Sequence, residues 1–549
     1  MTDQSGSHDY GPSLRKLRFL VVDDFENFRN SMRQMLRSLG AEKIELVHNG
    51  SAAVQRCTYD HFDVLLCNYN LGEGKSGQHV LEELRHRKLL HHSSLFLMVT
   101  AETSREMVMG AREYHPDAYL TKPINRAMLE KRLGALAERR EALLPITRAM
   151  DLEDYPEAIQ QCLALLPKHR RHRTWIYKTL ADLYFRVGDL GQARKIYDEV
   201  LSQRSLSWAR LGKARVMLAE GYHGEVTSDL QQLIEDHPDY LEAYDLMAES
   251  LKRTGKPGQA QKILLKAAEL SPNALLRQRD LATLATQNQD IDTAAEAWRR
   301  AVTLGTWSVH DSPEHHLALG RSLSDLSEAD PTGEGREQAD EALRILKQLE
   351  RKFPEAPDIG ARSMLVRSRI QAARGDRETA QKYLEEARSA LPEDKLTADS
   401  GLDLAKSLYR LGNNQEAERL LSSLAQKFES EPEVLEQIET LMDEPVGLQQ
   451  RLQARTLNRE GIQAYEKGAL GEAAGHFEKA LDIVPNHAAL NLNLVQIRMK
   501  QMDEGDTQVV RQHALAQCRR CLQALENLPP QHRQYRRYLA LRRKLEHIE

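Results

Sequence analysis

Small side chains recur at a fixed interval in the central part of this chain. One such position holds Ala214, Ala248 and Ala282, each 34 residues after the last. A second position holds Ala260 and Ala294 with the same spacing. A chain with a period of this length cannot bury each unit's apolar face alone, so the units must stack on one another. The period therefore predicts an elongated array of repeated units in this region.

Glycine and proline mark the same interval. Gly221 and Gly255 precede a second helical stretch, and Pro238 and Pro272 follow it, although Val226 is larger than the alanines at its position. Glycine permits a tight turn between two helices, and proline ends the second helix. The pattern resembles the tetratricopeptide repeat (TPR). That resemblance implies helix pairs that form an α-solenoid with a concave groove.

The repeats extend from about residue 145 to the C-terminus. The clearest units are Thr174 to Ser207, Leu241 to Ala274 and Ala454 to His487. Weaker units lie around Gly375 and Gly412, and SDLSEADPTGEGRE at 324–337 predicts an inserted polar loop. The segment QYRRYLALRRKLEHIE at 534–549 predicts a C-terminal capping helix, because terminal repeats need a polar outer side.

Polar side chains on the first helix of each pair face the groove, where we expect protein partners to bind. In the C-terminal units Asn458, Tyr465, Asn493 and Arg498 lie on or near such faces. Asparagine and basic side chains in some proteins of this family hold an extended peptide, and these residues are candidates for that role. The alternative interpretation is that they are simply solvated.

The first 140 residues follow a different pattern, in which short apolar runs alternate with helical stretches. The runs RFLVV, IELV, FDVLLC, LFLMV and AYL predict five strands. The helical stretches begin near Phe25, Ser51, Ser76, Ser104 and Arg126. This alternation predicts an α/β domain with a parallel sheet covered on both faces, whose functional crevice lies at the carboxyl ends of the strands.

Polar residues follow the predicted strands at those ends. Asp23 and Asp24 end the first strand, Asn68 the third and Thr100 the fourth, and Lys122 follows the fifth. Because the carboxyl ends of parallel strands converge, we expect these side chains to line one pocket.

The motifs VVDDFENFR, LLCNYNLGEGKSG, VTAE and AYLTKP, in this order, resemble the receiver (CheY-like) domain of bacterial response regulators. The resemblance covers about residues 16 to 140 and implies a flavodoxin-like (βα)5 fold. It implies that Asp23, Asp24 and the backbone carbonyl of Asn70 contact a magnesium ion. It also implies that Thr100 and Tyr119 are switch residues, and that Lys122, before a cis Pro123, is the phosphate-binding cation.

Asn68 stands where this family carries its phosphoacceptor aspartate. A neutral amide is a poor nucleophile, so we expect no acyl phosphate by the usual route and a weakened hold on Mg²⁺. Three interpretations stay open: a naturally degenerate receiver, an engineered substitution that blocks phosphorylation, or another acceptor such as Asp24.

Composition limits the other classes of function. A net charge of −5, with 41% hydrophobic and 29% charged residues, indicates a soluble protein and disfavours nucleic acid as a partner. The sequence predicts a cytoplasmic protein with no membrane association, because it has no long apolar run and no signal-peptide core. Cys518 and Cys521 form a CxxC within a helical pattern, and we interpret them as two thiols on one helix face.

The sequence thus predicts a disordered tail at 1–15, a receiver domain at 16–140 and a TPR domain at 145–549. The first functional hypothesis is a non-catalytic signalling adaptor whose TPR groove binds protein partners. Through its receiver it would contact a histidine kinase or another signalling protein. The second is a conventional phosphorylation-controlled response regulator, which needs a carboxylate at position 68. A regulated nucleic-acid binder is a third, less favoured hypothesis.

Overall fold

A computed structural model describes residues 14–101, 114–288, 290–329, 333–442, 448–503, 508–526, 528, 532 and 534–548. Five parallel strands form one sheet in the order β2-β1-β3-β4-β5. The strands are β1 (Arg18–Val22), β2 (Lys43–Val47), β3 (Val64–Asn68), β4 (Leu95–Thr100) and β5 (Ala118–Thr121). This strand order is that of flavodoxin-like folds, so the predicted fold class is confirmed. The predicted tail lies almost entirely outside the described residues.

Alternating residues of the strands bury themselves on opposite faces of the sheet. The described helices of this part are α1 (Glu26–Ser38), α2 (Gly50–Tyr59), α3 (Gly77–His86) and α4 (Arg126–Asp151). Phe19 and Val21 pack in one core with α1 and α4. Leu20 and Val22 pack in the other with α2 and α3. The helix predicted near Ser104 lies outside the described residues.

Helix α4 belongs to two hydrophobic cores. Leu129 and Leu133 pack under the sheet with α1. Further along the same helix, Ile146 and Ala149 pack with α5 (Tyr155–Leu165) and α6 (Arg173–Arg186). The helix therefore continues through residues 140–145, where the sequence places the boundary between domains, and it contains Pro145 without ending there.

The remaining described chain consists of helix hairpins. Its helices are α7 (Leu190–Gln203), α8 (Ser207–Ala219), α9 (His223–Asp236), α10 (Leu241–Arg253), α11 (Pro257–Leu270), α12 (Leu275–Gln287), α13 (Ile291–Gly305), α14 (Pro313–Ala329), α15 (Gly333–Lys352), α16 (Pro357–Ala373), α17 (Arg377–Ala390), α18 (Ala398–Leu411), α19 (Asn414–Lys427), α20 (Pro432–Met442), α21 (Leu448–Glu466), α22 (Leu470–Ile483), α23 (Ala488–Asp503), α24 (Gln508–Ala524) and α25 (Tyr535–Ile548). Short 3-10 turns lie at Arg170–His172 and Glu393–Lys395. The chain divides into two compact units, residues 1–284 with 300–311, and residues 285–299 with 312–549.

The residues that carry the 34-residue period occupy the expected places. Ala248 in α10 and Ala260 in α11 are buried where these two helices pack together. Gly221 and Gly255 have φ values of +91° and +69° in the turns between paired helices, a conformation that glycine adopts without strain. In the described residues none of the helices is long and apolar enough to cross a membrane.

The predicted polar loop at 324–337 is wrong for the described residues, because α14 continues to Ala329 and α15 begins at Gly333. Two acidic side chains of α14 contact a buried arginine. Arg369 of α16, which is 1% exposed, places its Nη2 2.9 Å from Asp325 and its Nε 3.5 Å from Glu328. A buried guanidinium needs such partners, so a segment that reads as a solvated loop is instead a helix facing a buried cation.

Candidate functional site

The carboxyl ends of the strands bring most of the predicted pocket together. Asn68 is the last residue of β3 and Thr100 the last of β4, while Asp23 and Asp24 directly follow β1. Lys122 follows β5, and the Lys122–Pro123 peptide bond is cis, as predicted. This convergence is a direct result of parallel pairing between β1, β3, β4 and β5.

Asp23 is neutralised by Lys122. The Lys122 Nζ lies 2.7 Å from Asp23 Oδ2, and the Asp23 side chain is fully buried. The backbone N–H of Phe25 donates to the other carboxylate oxygen at 2.9 Å. The ammonium group also lies 4.0 Å from the ring centre of Phe28, which favours a cation through its electron-rich face. Both oxygens of Asp23 therefore already have protein donors.

The side-chain amide of Asn68 donates hydrogen bonds to two other oxygens of the pocket, one from Asp24 and one from Asn70. Asn68 is 6% exposed, and its Nδ2 donates to Asp24 Oδ1 at 3.3 Å and to the Asn70 carbonyl at 2.5 Å. These are two of the oxygens that the resemblance assigns to Mg²⁺. A neutral N–H donor thus lies where a cation would compete for the same lone pairs.

Magnesium fits this donor set poorly. Mg²⁺ prefers octahedral coordination by oxygen, and here one carboxylate is paired with a lysine while the other accepts from an amide. The described residues contain no group of three or more His, Cys, Asp or Glu side chains placed to hold a metal ion. A bound ion would have to displace the hydrogen bonds of Asn68.

The two predicted switch residues lie on neighbouring strands beside this pocket. The carbonyl of Thr100 accepts a hydrogen bond from the backbone N–H of Lys122 at 2.8 Å. Tyr119 lies opposite Met98 in the register of β4 and β5, and it is partly buried against the core that includes α2 and α3. The strand pairing thus links the backbone of Thr100 to that of Lys122.

Sequence reasoning missed Arg29. Its Nη1 donates to the carbonyl oxygens of Asp23 at 2.6 Å and Asp24 at 3.0 Å. These bonds hold the backbone of the two acids in place from the first helix. Arg29 ends the quoted motif VVDDFENFR, and its position one turn into a helix that starts beside the acids was the available signal.

The four predicted groove residues near the C-terminus fall into three separate groups of contacts. Asn493 Nδ2 donates to Asn458 Oδ1 at 3.3 Å, and Asn493 Oδ1 accepts from Arg537 of α25 at 2.8 Å. Tyr465 lies under the ammonium of Lys500, with 5.0 Å between the nitrogen and the ring centre. Arg498 pairs with Glu478 of α22 at 2.7 Å.

A cavity that the sequence did not reveal lies among the earlier repeats. Its volume is about 760 Å³, and its lining comes mainly from α8, α10 and α12. Leu218, Leu246 and Leu284 supply apolar surface, Arg215 and Lys252 supply positive charge, and four acidic residues supply negative charge: Glu242, Asp245, Glu249 and Asp280. Neither cation forms an ion pair within the part of the chain that the structure describes. Such mixed lining is typical of surfaces that bind extended protein segments.

Comparison with known proteins identifies both patterns. A family model described as the response regulator receiver domain matches residues 19–134. The chemotaxis protein CheY-3 of Vibrio cholerae is 30% identical over 125 residues, which cover 23% of this chain and 95% of that protein. The chain belongs to the response regulator receiver family. The chemotaxis protein CheY of Pseudomonas aeruginosa is 29% identical over 123 residues, covering 22% of this chain and 98% of that protein.

The receiver domain is one part of a larger chain. A solved structure of the chemotaxis response regulator CheY4 of Vibrio cholerae is 26% identical, covers 21% of this chain and 95% of that chain, and has a TM-score of 0.20. A tetratricopeptide repeat model matches residues 241–274, the same unit that the spacing of small residues predicts. Both predicted families are thereby confirmed, and the chain combines a receiver domain with a TPR-containing helical region.

Proposed function

We propose that this protein is a cytoplasmic two-component signalling adaptor whose receiver domain does not carry an acyl phosphate and whose TPR region binds protein partners. The observation that carries the proposal is the environment of Asn68. Its amide ends β3 at the expected acceptor position and donates to Asp24 and to the Asn70 carbonyl. An amide nitrogen with its lone pair delocalised offers no nucleophile for phosphoryl transfer.

Under this proposal the other pocket residues neither bind a phosphoryl group nor hold Mg²⁺ tightly. Lys122 holds Asp23 in place of a phosphoryl oxygen, and Asp24 with the Asn70 carbonyl binds Mg²⁺ weakly at most. Thr100 and Tyr119 are the proposed switch residues. The receiver then acts by protein contact, for example with a histidine kinase or another signalling protein, and neither part of the chain is an enzyme.

Protein partners bind the concave side of the helical repeats in this proposal. The cavity among α8, α10 and α12 is one candidate site because it combines leucine side chains with charged groups of both signs. The group formed by Asn458, Asn493 and Arg537 is another candidate, because its amides lie along successive first helices. Tyr465 and Arg498 remain candidate groove residues near it. Neither membrane nor nucleic acid is proposed as a partner.

A conventional phosphorylation-controlled response regulator is the second candidate function. It is favoured by the intact ion pair between Lys122 and Asp23 and by the ordered backbone of the two acids. It applies if Asn68 stands in place of a natural aspartate. The output would again be protein binding through the TPR region.

Phosphorylation by a small donor tests whether the residue at position 68 decides acceptance of a phosphoryl group. The full chain is incubated with labelled acetyl phosphate and Mg²⁺, beside the variants Asn68→Asp and Asn68→Ala. We expect label on Asn68→Asp alone, and we expect hydroxylamine to remove it because an acyl phosphate is a mixed anhydride whose carbonyl carbon hydroxylamine attacks, releasing phosphate. Stable, hydroxylamine-sensitive label on the unmodified chain would refute the adaptor proposal and point to another acceptor such as Asp24.

A further inference from the structure

Helix α3 is tied to position 68 by its first turn. A Cβ at Gly77 would lie 2.3 Å from the carbonyl oxygen of Asn68, so only glycine permits this approach. The Gly77 N–H donates to the carbonyl of Tyr69 at 2.8 Å, and the Tyr69 hydroxyl donates to Gln78 Oε1 at 3.1 Å. A rearrangement at the end of β3 must therefore displace the start of α3.

The outer face of the same helix contacts a distant part of the chain. Ser308 Oγ donates to Glu82 Oε2 at 2.5 Å, and His310 Nε2 lies 3.8 Å from Glu82 Oε1. The rings of His86 and His310 meet edge to face with centres 5.1 Å apart. Burial lowers the pKa of the His79 imidazole, and a hydrogen bond to the backbone of Leu304 acts on it in the opposite direction. The three α3 residues follow helical spacing, so residues 304–310 lie along one face of the helix.

The receiver also reaches the repeats at a second point. His115, just before β5, places its Nε2 3.4 Å from Glu242 Oε1 of α10. Glu242 is one of the residues that line the 760 Å³ cavity. The receiver thus contacts the margin of a candidate partner site as well as the segment 304–310.

Because Glu82 is buried, its contacts with residues 304–310 should form and break together. Glu82 is 6% exposed, and within the described residues its side-chain partners for hydrogen bonding and ion pairing are Ser308 and His310. A buried carboxylate that loses its donors is strongly disfavoured. The stable arrangements are therefore a closed contact and an open one in which water solvates Glu82, since a partly broken contact leaves the charge unsatisfied.

We propose that this contact, which we name the α3 latch and define as His79, Glu82 and His86 against residues 304–310, transmits the state of position 68 to the helical repeats. Closure of the α3 latch keeps His115 at the margin of the cavity, and opening frees that margin for a partner. The proposal rests on the proposed function, in which the receiver acts by contact and the repeats bind the partner. It assigns the output of this receiver to α3.

Hydrogen–deuterium exchange on the full chain tests the α3 latch. Glu82→Ala removes the acceptor, whereas Glu82→Gln keeps an oxygen for the Ser308 hydroxyl. Glu141→Ala, at an exposed position of α4, is the matched control. We expect Glu82→Ala to speed exchange in both α3 and residues 304–310 by about tenfold or more, since both sides open together. Glu82→Gln should stay much closer to the parent, and Glu141→Ala should match it.

Asn68→Asp supplies the link to the receiver pocket. It should speed exchange at the first turn of α3 and also in residues 304–310, and it should add little in the Glu82→Ala background, where the α3 latch is already open. Unchanged exchange of 304–310 in Glu82→Ala, or a change in Asn68→Asp that stops within α3, would overturn the proposal. Because these measurements need no phosphoryl donor, they fail independently of the labelling experiment above. A thermal melt of each variant establishes that it is folded.

Discussion

The hydrogen bonds of Asn68 predict how stability responds to Mg²⁺ when the amide becomes a carboxylate. In the parent, Asn68 donates to Asp24 and to the Asn70 carbonyl, and no added cation is needed to satisfy those oxygens. Asn68→Asp replaces the donor by an anion directly beside the Asp24 carboxylate. The variant should therefore be less stable than the parent in a chelator, and Mg²⁺ should restore its stability.

The structure sets the size of this effect. The Asn68 nitrogen lies 3.3 Å from Asp24 Oδ1. Two unit charges at that separation repel by about 5 kcal/mol at an effective dielectric constant near 20, and by about 1 kcal/mol in bulk water. Asp24 is exposed while position 68 is buried, so we expect a loss of roughly 2–4 kcal/mol in the free energy of unfolding. A divalent cation between the two carboxylates removes the repulsion, and its binding adds further stability by mass action.

Thermal unfolding in a chelator and in about 10 mM Mg²⁺ measures the effect. We expect the receiver transition of Asn68→Asp to fall by several degrees in the chelator and to recover with Mg²⁺, while the parent changes little. Asn70→Asp is the control, because it adds the same charge at an exposed position and keeps the backbone carbonyl. Saturation of the parent by micromolar Mg²⁺, or an Asn68→Asp variant that melts like the parent in the chelator, would refute this account of the pocket.

Three further predictions concern other parts of the chain. Ala260→Leu should lower the free energy of unfolding of the repeats by about 1–3 kcal/mol, because it overpacks a fully buried position of α11. Lys262→Leu, at an exposed position of the same helix, should change that free energy little. Urea unfolding of the two variants measures the difference. Burial raises the pKa of Asp63, but hydrogen bonds from His61 and the Arg18 backbone, together with Arg140, lower it below its usual value. Its stabilising contribution is thus complete above the unfolded pKa near 4 and lost as the pH falls through the lower folded value, so acid unfolding of Asp63→Asn should depend less on pH in that range. Burial raises the pKa of the Cys521 thiol to about 11, and all five cysteines are free and buried, so a thiol reagent at neutral pH should react slowly until denaturant is added.

The sequence predicts the sheet and the convergence of its strand ends well because both depend on local patterns. The alternation in RFLVV sends Phe19 and Leu20 to opposite faces, and β1 begins and ends where that run does. The α3 helix starts after Ser76, whose side chain accepts from the His79 N–H at 3.3 Å in a capping box. Signals of this kind lie within a few residues of one another, so a single sequence reveals them.

The features that the sequence does not reveal depend on residues far apart in the chain. The bond between Ser308 and Glu82 joins positions 226 residues apart, and neither residue belongs to a motif. The ion pair between Arg369 and Glu328 also joins residues far apart in the sequence. The prediction of a loop around Glu328 was wrong because the sequence does not show this partner. Polar residues of this kind read as surface in a sequence, because only the folded chain shows which of them find a buried partner.

The shared helix α4 has a consequence for how such a protein can be divided or recombined. Leu133 and Ile146 lie on one continuous helix but belong to different hydrophobic cores. Pro145 lies between these two residues, directly before Ile146. A fragment ending at 140 would cut the helix before the residues that pack with α5 and α6, and a fragment beginning at 145 would start its first hairpin without a full first helix. Exchange of the receiver for a relative's would thus need a graft within α4 that keeps the helical phase. One inserted residue would rotate the following helix by about 100° and misalign one core with the other.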